Sequence, residues 1–290
     1  MPELARLKPA PIPEIRPIPE HAATGALAKT YARTKQGLGV PWMGVVAMAF
    51  AQYPKFYDTL WSAMEPMAQS HAFQHACSDL RICAQENAGA LSPPSLLGQL
   101  ETLGYSAQEI DDIRACNEIF SSGNMPYVLM ASLARLLLEG HDWNGPNHVP
   151  TDPGPTSPAP KPTLIENHHA DPTIAALYAD IRSTLGLPFI NTDYRAFARW
   201  PSYFVRAWAD MRQAVTSDAY EGRVTRVHDK AIEIAHGLPN VTGLTPSCLR
   251  QAAAQDASLE DVLATVRLFQ WLLPGLATNV AFLRAQLLPD

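Results

Sequence analysis

The chain has 290 residues, 47% of them hydrophobic, and a formal net charge of −6. That is enough apolar material for a sizeable core, as one large domain or two halves. The acidic balance and the absence of any long Lys/Arg cluster exclude a nucleic-acid surface. The four cysteines, Cys77, Cys83, Cys116 and Cys248, form no CxxC pair and no disulfide framework. They read as free thiols in a reducing compartment. With no signal-peptide pattern at the start and no apolar run of roughly 18 residues, the expectation is a cytoplasmic protein with no membrane partner.

Residues 1–20 are proline-rich and cannot be helical, so they are expected to lie extended as an arm packed on the surface. A first helical repeat follows over 21–142. Ala22–Lys35 is rich in helix formers, and Gly39-Val-Pro41 breaks it. Trp42–Ala51 reads as an apolar helix buried all round and ended by Pro54. Phe56–Ala88 reads as a long helix, or as two divided near Pro66. Ser92-Pro93 reads as a cap with proline at the first helical position, before a short helix at Leu96–Leu103. Ser106-Ala-Gln-Glu109 is a capping box that starts a helix to about Phe120. Ser121-Ser-Gly-Asn124 reads as a break, and Met125–Leu138 as a further helix. Residues 143–163 form a linker, with seven prolines between Pro146 and Pro162.

The second repeat, 164–290, copies the first. Aligning Tyr31–Met64 with Tyr178–Met211, an offset of 147, gives 11 identities in 34 positions without a gap. Chance gives about 2. Later, Thr245-Pro246 repeats Ser92-Pro93 and Ser258-Leu-Glu-Asp261 repeats the capping box, so the offset drifts to 152 or 153. Neither half shows alternating strand patterns. The expected fold is all-α: two helical repeats related by a pseudo-twofold in one compact unit, with the active site between them.

The copies differ at informative places. Asp193 stands opposite Val46, and with the 152 offset Asn117 stands opposite Phe269. Asn191 is a plausible helix N-cap, which puts Asp193 in a first turn. There an ordinary acid simply complements the helix dipole, and by residue type alone that reading leads. The functional reading uses the same geometry: helix-start N–H groups hold a substrate carboxylate, and an acid beside an apolar wall of Phe189 and Trp42 becomes a better base. Asn117 lies mid-helix among Ile113, Cys116 and Phe120, where an inward-facing amide either satisfies the core or fixes a water molecule. His71 and His75 are four apart, but no third ligand accompanies them, so no metal is expected. Phosphate loops, nucleophile elbows and dinucleotide fingerprints do not occur.

With its Gly-x-Pro-Trp turn in the first half and Gly-x-Pro-Phe-x-x-Thr-Asp in the second, the duplicated chain resembles the group I (DehI-type) 2-haloacid dehalogenases over nearly its whole length. The resemblance implies cofactor-independent hydrolysis of 2-haloalkanoic acids of both enantiomers, by direct attack of water with inversion, in a homodimer. It implies Asp193 as general base and Asn117 as holder of the water. Trp42, Thr192, Phe269 and, near the C-terminus, Phe282 are implied as substrate-binding residues. Gly44 and Val45 stand where alanine and phenylalanine are expected, and Asn191 where a small residue is expected, which bears on substrate size and halide preference. Two other readings remain: a related hydrolase acting on another small activated acid, and a non-catalytic helical binding protein. A peroxidase- or decarboxylase-like fold is weaker, since the former calls for paired cysteines.

Overall fold

The computed structural model describes residues 4–149 and 159–289. The centre of the expected linker, 150–158, and the first three residues of the expected arm lie outside the described residues. Within them the regular elements are all helical. A 3-10 turn at Glu20–Ala22 precedes α1 (Gly25–Leu38), α2 (Val45–Phe50), α3 (Pro54–Ala68), α4 (His71–Gly89), α5 (Leu97–Thr102) and α6 (Ala107–Leu138). The second series is α7 (Pro172–Leu185), α8 (Thr192–Phe197), α9 (Pro201–Val215), α10 (Asp218–Gly237), α11 (Pro246–Ala254) and α12 (Leu259–Ala285). The all-α expectation holds.

The duplication is legible helix by helix. α1 and α7 are each 14 residues long and stop at glycines with φ of 65°, Gly39 and Gly186, a conformation that a Cβ would strain. α2 and α8 are each 6 residues, α3 and α9 each 15, and both of the latter begin with proline, Pro54 and Pro201. The Tyr31 hydroxyl donates to the Ile18 carbonyl at 2.8 Å, and Tyr178 repeats this on Ile165 at 2.9 Å. The same isoleucines donate their amides to Met48 (3.0 Å) and Arg195 (2.9 Å), inside α2 and α8. The repeat thus reaches back into the proline-rich arm. The arm is anchored near its start: Leu4 is buried, Arg6 donates to the Trp271 carbonyl at 3.0 Å, and Arg6 and Lys8 lie over the Trp271 ring.

Several local expectations change. The break at Ser121–Asn124 is absent, because α6 runs unbroken through Gly123 and Pro126. Every residue from Gly123 to Leu138 is buried, and that packing outweighs the helix penalty of glycine and proline. Gly123 is there for close approach: a Cβ on it would lie 2.4 Å from the Trp42 indole. Ser92 is not an N-cap, since it has φ of 56° and α5 starts only at Leu97, whereas Thr245 does cap α11 through the Cys248 amide. The helix after Trp42 begins only at Val45, with Gly44 still extended. Proline 66 sits within α3, and the division falls after Ala68.

The chain forms two compact units. One comprises Met1–Leu80, Gly123–Pro160 and His228–Pro274; the other comprises Arg81–Ser122, Lys161–Val227 and Gly275–Asp290. Each draws on both copies. In the first, α3 packs on α11, and the Phe56 amide at the start of α3 donates to the Asp256 carboxylate at 2.8 Å. In the second, the equivalent Tyr203 amide at the start of α9 donates to the Tyr105 hydroxyl at 3.2 Å. In both cases the partner comes from the loop before the other copy's long last helix. The core of the first unit includes Phe50 packed edge-on against Phe56 and Phe269; that of the second includes Phe120, Phe197, Phe204 and Tyr194.

His228 of α10 is fully buried in the first unit, with Nδ1 2.7 Å from the Asp229 carboxylate and Nε2 lacking a protein partner. Burial holds its imidazole below the usual range, against the pull of Asp229. The unfolded chain takes up a proton near pH 6.5 that the folded state resists, so stability is retained above that pH and lost as pH falls below it. Denaturant midpoints measured between pH 7.5 and 5.5 are expected to fall in the native chain and to fall less in His228→Gln.

Candidate active site

α8 is a six-residue helix with every position but Arg195 buried. Such a helix is too short to hold itself together and is shaped by what surrounds it. Asn191 is its N-cap by backbone geometry (φ −67°, ψ 156°), yet its side chain makes no capping bond and its buried Oδ1 has no protein partner. Thr192 opens the helix, and its hydroxyl accepts from Arg195 Nη2 at 3.2 Å. Arg195 also grips both oxygens of Glu166, at 2.8 and 2.6 Å. Asp193 follows, only 2% exposed. An acid that merely complements a helix dipole stays in solvent, so this burial counts against that reading. A desolvated carboxylate is retained where other groups engage it or chemistry uses it.

Asn117 lies on α6, 1% exposed, in the same unit as Asp193. Its Nδ2 donates to the Val280 carbonyl of α12 at 3.2 Å, while Oδ1 is buried without a protein partner. The neighbouring Cys116 thiol lies among charges of both signs. Burial pushes its thiol up to about 12; Arg199 pulls it down and the Asp193 charge pushes it further up. Asp193 is therefore within electrostatic reach of the turn that carries Asn117.

Four other expected residues lie in the first unit. Trp42 and Gly44 are buried, Val45 is half-buried, and Phe269 packs edge-on against Phe50 with ring centroids 6.1 Å apart. Phe282 belongs to the second unit, where it lines a cavity of about 360 Å³ together with Ser92, Asp210, Gln213 and Ser217. Asp193, Asn117, Asn191 and Thr192 are not among the residues lining that cavity.

The structure adds residues that sequence patterning passed over. The Tyr127 hydroxyl accepts from the Gly44 amide at 2.8 Å and donates to the Trp42 carbonyl at 2.8 Å, clamping the turn into α2. A Cβ on Gly44 would lie 2.8 Å from the Tyr127 ring, which explains glycine where alanine was expected. In the second unit, Asn279 Nδ2 donates to the Tyr194 hydroxyl at 3.0 Å, and the Tyr220 hydroxyl donates to Asn279 Oδ1 at 2.9 Å. The available signal was the 152 offset, which pairs Tyr127 with Asn279. Among the described residues no group of three His, Cys, Asp or Glu side chains gathers to hold a metal, and His71 and His75 are exposed. No helix of the described residues is long and apolar enough to cross a membrane.

No protein-family model matches the chain. Individual proteins match strongly. An (R)-2-haloacid dehalogenase of Rhizobium sp. (strain NHG3) is 45% identical over 242 residues, 82% of this chain and 93% of that protein. The (R)-2-haloacid dehalogenase of Pseudomonas putida is 36% identical over 288 residues, 97% of this chain and 96% of its own. The chain belongs to the 2-haloacid dehalogenase family. A configuration-inverting 2-haloacid dehalogenase of Pseudomonas sp. (strain 113) is 25% identical over 238 residues, 78% of this chain and 76% of that one. The solved complex structure of a D-2-haloacid dehalogenase with L-LA superposes with a TM-score of 0.88 at 34% identity, covering 98% of this chain and 100% of that chain. The expected enzyme class, a hydrolase of carbon–halide bonds, is thereby borne out. The match is to the family at large, stronger to relatives named for the (R) acid than to those named for inversion.

Tyr127→Phe leaves the buried Gly44 amide and Trp42 carbonyl without their shared partner. It is expected to lower stability by about 1–3 kcal/mol. Denaturant titration checks this, and an unchanged midpoint would show that the clamp holds nothing.

Proposed function

We propose that this family member hydrolyses D-2-haloalkanoic acids by direct displacement, with Asp193 as general base and Asn117 as holder of the attacking water. The carrying observation is the Asn117 amide: its N–H end is committed to Val280, leaving a buried, unpartnered Oδ1 to accept from a water molecule. The other hydrogen of that water passes to the Asp193 carboxylate as its oxygen bonds to C2. The carbon–halogen bond breaks with its electron pair on the leaving halide, opposite the attacking oxygen, and the configuration at C2 inverts. Asp193 then returns the proton to solvent. Water is the only co-reactant. Thr192 and Asn191, at the start of α8, hold the substrate carboxylate. Fixing water ~3–3.5 Å from the carbon supplies the orientational part of the acceleration.

Two features of the relatives support the D enantiomer and inversion. The relatives at 45% and 36% identity are named for the (R) acid, while those at 25% and 22% are named for configuration inversion. Solved structures with TM-scores of 0.88 and 0.86 hold L-LA in one case and D-2-CPA in the other, opposite hands such as an inverting displacement relates. Acceptance of both enantiomers, implied by the group I resemblance, is the competing outcome of the same assay.

Halide release from D- and L-2-halopropionate is expected to favour D in the native chain. It is expected to fall about 10²–10⁴-fold in Asp193→Asn. Single-turnover hydrolysis in oxygen-18 water should label the product hydroxyl at once. Unlabelled first-turnover product means a covalent ester on the enzyme and rejects the direct mechanism. Silence on every 2-haloacid favours a different activated acid as substrate. Asn191→Ala, which empties buried space two residues before the base, is expected to raise the L-to-D rate ratio.

A further inference from the structure

We infer that Asn279 is a positioning residue for the reaction, acting on Asp193 through Tyr194 from the same turn of α12 whose Val280 carbonyl holds Asn117; the inference rests on the assignment of Asp193 and Asn117 above. Its amide donates to the hydroxyl of Tyr194, the residue after Asp193, at 3.0 Å. Its carbonyl oxygen is held in turn by the Tyr220 hydroxyl at 2.9 Å. The next residue, Val280, offers its backbone carbonyl to Asn117 at 3.2 Å. All five residues belong to one unit, and Tyr194, Asn117 and Asn279 are each at most 2% exposed. In so buried a setting the Asn279 amide can rotate only by giving up its bonds to the two tyrosine hydroxyls.

The repeat shows what this position does. α6 and α12 begin 152 residues apart, at Ala107 and Leu259, so Tyr127 and Asn279 are equivalent, as are Gly44 and Asn191 at offset 147. In the first unit the tyrosine ring fills the space that a Cβ on Gly44 would need, and its hydroxyl ties the turn into α2 directly. In the second unit the pair is Asn191 and Asn279. The shorter side chain at 279 lacks the ring that Tyr127 sets against Gly44, so the position before Thr192-Asp193 can carry a polar side chain. It grips the short helix through the Tyr194 hydroxyl instead of through a backbone amide. The two changes go together: glycine with tyrosine where the helix carries Val46, asparagine with asparagine where it carries Asp193.

The test is steady-state kinetics on D-2-chloropropionate with Asn279→Ala, Tyr194→Phe, their double variant and Asp193→Asn, together with thermal melts. Positioning is expected to appear as a loss in kcat of about tenfold or more with KM within twofold, and Asn279→Gln restores none of it because the longer amide misplaces the bond. The double variant is expected to fall no further than the worse single one, since both break the same link. If Asn279→Ala does not fold, Tyr194→Phe, which keeps the ring and removes only the hydroxyl, decides alone. A folded Tyr194→Phe with native kcat, or with only a lowered melting temperature, overturns the inference while leaving Asp193 as the base. Retained activity in Asp193→Asn instead overturns the mechanism on which the inference rests.

Discussion

A six-residue helix cannot hold its own shape in water, and this chain builds its candidate site on one. Everything around α8 compensates for that. The Arg195 carbonyl accepts from the Ile165 amide, the Arg195 guanidinium grips Glu166 and Thr192, and the Tyr194 hydroxyl is held from α12. α2, its copy, is restrained by the same kind of bonds, from the Ile18 amide to the Met48 carbonyl and from the Gly44 amide to the Tyr127 hydroxyl. A longer helix would fix its side chains by its own hydrogen-bond ladder. A short one transfers that task to buried polar partners, and a buried polar partner works only if its own groups are also satisfied. That is why the second unit needs the three-member chain Tyr220–Asn279–Tyr194 where the first needs one tyrosine.

The asymmetry between the copies then has a direct physical reading. Val46 and Asp193 occupy one position, and both are 2% exposed. Burial of valine is favourable by itself; burial of a carboxylate is not. The copy that keeps valine packs its turn tightly, with an aromatic ring in van der Waals range of a glycine. The copy that keeps aspartate has Asn191 and Asn279 in place of glycine and tyrosine, and there the residue after the acid, Tyr194, is held by the Asn279 amide. The same unit also holds the buried, unpartnered oxygens of Asn117 and Asn191, which a purely apolar core would not retain.

Much of this was legible in the sequence, and the misses have physical causes. The repeat predicted equal helices because glycine after α1 and α7 and proline at the start of α3 and α9 act locally, through φ and a missing N–H. The same local logic failed at Gly123 and Pro126. There two helix-disfavouring residues sit in a helix whose surroundings are wholly buried, and the glycine answers to the Trp42 indole rather than to a turn. Ser92 failed for the opposite reason: the Ser-Pro pattern is sound, but the backbone takes a positive φ and the helix starts later. Asp193 and Asn117 stood out because each breaks the repeat with a polar group. Asn279 breaks it too, but by replacing a tyrosine, and a change from one hydrogen-bonding residue to another carries little signal until its partners are seen.

The composition of the two units gives the duplication a further meaning. The amide that starts α3 is satisfied by Asp256 of the second copy, and the amide that starts α9 by Tyr105 of the first. α3 also packs on α11 of the other copy. A single copy on its own would leave these helix starts uncapped and the α3 face bare, each a loss comparable to a deleted cap of roughly 0.5–2 kcal/mol before any apolar exposure is counted. Two separate copies could recover both contacts only by exchanging their later helices with one another. Joining them in one chain makes that exchange intramolecular, and it also allows the copies to diverge. Once the partner segments are covalently linked, one copy can accept a buried carboxylate and its amide supports while the other keeps the apolar packing, because each unit holds parts of both.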